Sequence, residues 1–135
     1  MAVNGVFGVI GNTRLMRRIG RTGPDRAANE AMVSMLVGML LWSLAASLAL
    51  PWPVIVLSMA FWGFGAFASN SAQQARLAGS APGLASASIA LNSAGMYAGQ
   101  TIGAGVGGLA IAASGYTLLG WLGAAVLAVG LWLSV

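Results

Sequence analysis

Residues 31–50, AMVSMLVGMLLWSLAASLAL, run for 20 positions without a charge and with only three serines. A bilayer core of ~30 Å takes about 20 apolar residues as a helix, so this stretch limits the chain more than any other. Two more stretches share its character, VIVLSMAFWGFGAFASNSA at 54–72 and YTLLGWLGAAVLAVGLWLSV at 116–135. A fourth, 84–113, is long, rich in small residues and weakly polar. Composition agrees: 59% of residues are hydrophobic and 6% charged, where soluble domains carry ~25% charge. Eight charged side chains cannot build a mixed, charged surface. The expected fold class is an all-α polytopic membrane protein with four full transmembrane helices and a partial N-terminal one.

The segments between these stretches suggest an organisation. Residues 1–12 contain AVNGVFGVIG, too short to cross, which reads as the end of a fifth helix or as an interfacial N-terminus. Residues 13–30 form an arginine-rich loop, and 31–135 a four-helix segment. Pro51-Trp52-Pro53 breaks the first span, because proline removes a donor and restricts the residue before it. Residues 73–82, QQARLAGSAP, read as a short polar loop. Five arginines lie in 12–30 and the sixth, Arg76, in 73–82. Two crossings separate those loops, so both face one side, and the positive-inside rule makes that side cytoplasmic. Trp52, Tyr116 and Trp121 fall near the other interface and Trp132 near this one, as in an aromatic belt. The first residues are not a secretory signal, because their positive charges follow the apolar run.

Few residues are available for chemistry. The chain has no Lys, His or Cys, and Asp25 and Glu30 are its only carboxylates. General acid/base catalysis and metal binding have almost nothing to use, so no catalytic residue, metal or cofactor is expected and the chain does not read as an enzyme. Six arginines and a net charge of +4 fall short of a nucleic-acid footprint. The hexapeptide GAGVGG, 103–108, matches the G-x-G-x-x-G dinucleotide fingerprint by letter. That fingerprint needs a preceding strand and an acidic residue ~20 positions on. No acid follows Glu30.

A longer pattern explains those glycines better. Gly95, Gly99, Gly103 and Gly107 repeat every fourth residue, which in a helix makes a shallow groove on one side. Helices in lipid associate through close backbone approach over small residues, so the row predicts packing against a neighbour. Asn92, Met96 and Gln100 lie beside it, within about 80° at ~100° per residue. Amides at membrane depth need a partner or water. They serve either as interhelical glue or as a substrate-cavity wall.

The stretch QARLAGSAPGLASASIALNSAGMYAGQTIGAGVGGLAIAASG resembles the helix 10–11 region of major facilitator superfamily transporters, in the drug and sugar efflux branch that includes arabinose-efflux permeases. Arg76, Ala81-Pro82, Leu91-Asn92 and Gly99, Gly103, Gly107 and Gly108 carry the likeness. The loop between helices 8 and 9 in that family reads G-R-L-x-D-R-x-G-R. Residues 13–21, TRLMRRIGR, match it at Arg14, Leu15, Arg18, Gly20 and Arg21. Thr13 stands in place of its glycine and Arg17 in place of its aspartate.

The resemblance implies the C-terminal portion of a twelve-helix efflux transporter, from the end of helix 8 through helix 12. The rest would come from a missing N-terminal part or another membrane chain. It also implies a bacterial inner (plasma) membrane, a lipid bilayer around the chain, a small-molecule substrate in the full-length parent, and no activity from this segment alone. A rival expectation is a small helical membrane subunit or scaffold that packs on a partner through the glycine-rich helix.

Overall fold

The computed structural model describes residues 2–134. Met1 and Val135, at the outer ends of the expected 1–12 and 116–135 helices, lie outside the described residues. The order of elements is α1 (Ala2–Leu48), α2 (Trp52–Ser80), a 3-10 turn (Pro82–Leu84), α3 (Ala85–Ser114) and α4 (Tyr116–Ser134).

Helix α1 is two antiparallel limbs, residues 2–22 and Pro24–Leu48. Gly23 adopts φ 79°, ψ 159°, a conformation that a side chain disfavours. Pro24 lacks the N–H that would continue the helix. The chain therefore doubles back. Leu15 packs in one cluster with Ala27, Ala28 and Ala31, and Asn4 and Gly38 line a single small cavity. After a break at Ala49 (φ 49°), α2 starts behind Pro51 with proline in its first turn, where the missing donor costs nothing.

Helix α2 runs antiparallel to the second limb and parallel to the first, and the three pack through small residues. Ala27, Ala28, Ala31, Ala68 and Ala72 are fully buried around Leu15. A Cβ placed on Gly38 would stand 2.7 Å from the Trp62 nitrogen and 2.8 Å from the Ser58 carbonyl oxygen. One on Gly65 would collide with the Ala31 carbonyl and the Met35 side chain. Only glycine admits backbones this close, and close approach holds helices together where lipid removes the hydrophobic drive. Ser34 Oγ adds a 2.8 Å hydrogen bond to the Phe61 carbonyl.

Helix α4 lies along the second limb, antiparallel to it. Gly120 faces Ser43 and Trp42, Trp121 Nε1 donates to Ser47 Oγ at 3.3 Å, and Ser134 Oγ donates to Asn29 Oδ1 at 2.8 Å. Helix α3 packs its backbone against α2 and α4, and among the described residues it does not approach the α1 backbone closely. Only Gly107 and Ala110 are buried in it.

Among the described residues, three helices are long and apolar enough to cross a membrane: Pro24–Leu48, Trp52–Ser80 and Tyr116–Ser134. Helix α3 spans 30 residues but is not among them, because Asn92, Gln100 and its many glycines dilute its hydropathy. Two expected loops are corrected. Residues 13–30 are helical except at Gly23, and 73–80 continue α2. Polarity was the signal for a loop in both places. Arg, Gln and Ala are good helix formers, and a helix that leaves the hydrocarbon can keep its hydrogen bonds.

Candidate functional site

A cavity of about 250 Å³ opens between the second limb, α2 and α3. Asn70 and Gln73 of α2, three residues apart and so on one face, look across it at Asn92 and Met96 of α3, four residues apart. Met35 and Ser69 complete the polar and thioether lining. Asn92 is half-buried, and Met96 is 37% exposed. Gln74 Nε2 donates to Asn70 Oδ1 at 3.3 Å, which fixes the amide orientation and leaves the Asn70 NH₂ to donate. The lining side chains offer neutral donors, neutral acceptors and soft sulfur without formal charge. Its volume is below the ~300–1,000 Å³ of a complete small-molecule pocket.

Of the three cavity residues expected from the sequence, the structure brings Asn92 and Met96 together. Gln100, exposed one turn further along α3, does not line the cavity. Sequence reasoning missed Met35 and Ser69, and it assigned Gln73 to a loop. The i, i+3 spacing of Asn70 and Gln73 was the available signal for a shared helical face.

The four-residue glycine row is mostly uncovered within this chain. Gly95, Gly99 and Gly103 have nothing within 4 Å of a built Cβ, while at Gly107 that Cβ would lie 3.1 Å from the Leu119 side chain. Tight contacts with neighbouring backbone fall in α1 and α2, at Gly11, Gly38, Gly63 and Gly65, while Gly120 and Gly123 of α4 stand against the side chains of Ser43 and Met39.

All six arginines gather at the end of the bundle that holds the Gly23 bend. Arg76 Nε meets Asp25 Oδ1 at 2.7 Å, joining α2 to the bend. Glu30 pairs with Arg26 at 3.5 Å and with Arg18 of the first limb at 3.8 Å. Asp25 and Glu30 thus supply negative charge in this region. Arg14 and Arg21 are exposed and in no ion pair among the described residues, and Gly20 faces open space.

Apolar length in three helices and arginines at a single end define a multi-pass helical membrane protein by composition and placement. No family model, curated protein or solved structure matches the chain.

Proposed function

We propose that this chain takes part in transmembrane transport of small molecules, as the C-terminal portion of a major facilitator-type efflux transporter. The observation that carries the reading is the amide-lined cavity between α2 and α3. Asn70, Gln73 and Asn92 converge there from two helices, beside three apolar spans. Gln73 lies one turn from Arg76, so the cavity opens toward the arginine end, and amides gathered between helices mark a water-filled path or a protein interior. In this reading α3 is the fourth crossing, the arginine end is cytoplasmic, and the open side of α3 faces helices supplied by the rest of the transporter. The membrane is the bacterial inner (plasma) membrane.

The exposed row of Gly95, Gly99 and Gly103 supports a second reading, a small membrane subunit or scaffold that packs on a partner helix. Accumulation of a panel of fluorescent small molecules separates the two, in cells with the native locus, a deletion, or Asn92→Ala. Transport predicts that deletion raises accumulation of at least one compound. It also predicts that Asn92→Ala changes efflux at normal membrane abundance. Unchanged accumulation of every compound on deletion overturns the transport reading.

A further inference from the structure

A second pair of cavities lies on the opposite flank of α2, between it and the two limbs of α1. One, about 450 Å³, is walled by Phe7, Val33, Val37, Leu57 and Phe61. The other, about 390 Å³, is lined by Arg14, Leu15 and Arg18. Glu30 and Phe64 belong to both, so the two adjoin. We propose that together they bind one anionic phospholipid, with an acyl chain in the apolar cleft and the phosphate at Arg14 and Arg18.

The order of the two chambers along the bundle supports this occupant. Glu30 and Val37 are seven residues apart on the second limb, about 10 Å at 1.5 Å per residue. The apolar cleft therefore extends two turns from the arginine end toward the bilayer interior. The charged chamber sits where a headgroup lies. A lipid of that leaflet meets both chambers in its ordinary orientation.

Charge selects the headgroup. Arg14, Arg18 and the nearby Arg26 face a single carboxylate, Glu30, and Arg14 is in no ion pair among the described residues. Guanidinium forks match phosphate oxygens in pairs. A free phosphate would leave the apolar cleft empty, and its volume falls within the ~300–1,000 Å³ typical of ligand pockets. This inference stands apart from the transport reading, which concerns the other flank of α2.

The test uses the full chain in phosphatidylcholine nanodiscs doped with phosphatidylglycerol that carries a photoreactive diazirine in mid-acyl chain. Cross-links are mapped by peptide mass spectrometry. Labelling should concentrate on Val33, Val37, Leu57 and Phe61. Arg14→Gln with Arg18→Gln should lower it about thirtyfold, the factor for losing about 1 kcal/mol of attraction at each of the two arginines. Both side chains are exposed, so the fold should survive. Leu57→Trp, at a half-exposed position of the cleft wall, should displace the label with the arginines intact. Labelling spread evenly over the lipid-facing helices overturns the proposal. So does equal labelling by the phosphatidylcholine analogue, no response to the arginine pair, or displacement by soluble glycerol phosphate.

Discussion

Helices α2 and α3 are nearly equal in length, yet one is locked into the bundle and the other barely docked. In α2, Gly63 and Gly65 meet neighbouring backbone, and Ala68 and Ala72 are fully buried. In α3, Gly95, Gly99 and Gly103 sit at regular spacing with open space where a Cβ would stand. Regular spacing therefore does not make a glycine row a packing seam within this chain. What matters is whether a second helix is brought alongside. The Gly23 hairpin and the short Ala49–Pro51 turn bring two limbs onto α2, while α3 is tied in at its ends and along one cavity.

This contrast is most open to challenge at the glycines. Gly38→Leu should destabilise the chain by about 3 kcal/mol, the upper end of the overpacking range, because its Cβ alone meets Trp62 and Ser58 backbone. Denaturation in mixed micelles, followed by helicity, measures it. Asp25→Asn should cost less, about 0–1 kcal/mol, because Asp25 is 77% exposed and its pair with Arg76 is screened. That loss should shrink further at high salt, and a salt-independent loss would mean the pair acts through packing. Asn92→Ala should cost no more than about 0.6 kcal/mol, the average for one interhelical hydrogen bond in membranes, because Asn92 lines a cavity. Gly103→Leu should change the stability of the isolated chain by less than about 0.5 kcal/mol. If its loss equals that of Gly38→Leu, a second helix covers α3 under the conditions of measurement.

Much of the helical architecture was legible in the sequence, for identifiable reasons. Apolar runs of bilayer length named three spans, and Pro51-Trp52-Pro53 marked the turn after the first. Arginine placement correctly put 12–30 and Arg76 at one end, which the Arg76–Asp25 pair ties together. Gly23-Pro24 also carried the hairpin signal, but the surrounding charge read as loop. The candidate site was half legible. Asn92 and Met96 follow from spacing along one helix, whereas Met35 and Ser69 join them only through packing between helices. The glycines that pack most tightly were also hidden. Gly11, Gly38, Gly63 and Gly65 lie in apolar sequence, and their role depends on which helix crosses them.

The central claim, that α3 presents its amide face to a wet, functional path, is tested most directly by solvent access along that helix. The chain has no native cysteine, so single cysteines report without background. Placed at Asn92, Met96 and Gln100, they should react with a water-soluble thiol reagent in native membranes. At Leu91, Ile102 and Leu109, on the other face by about 135° at ~100° per residue and 75%, 66% and 74% exposed, they should stay unreactive in lipid. Equal reactivity on the two faces, or none at Asn92 and Met96, would contradict the account.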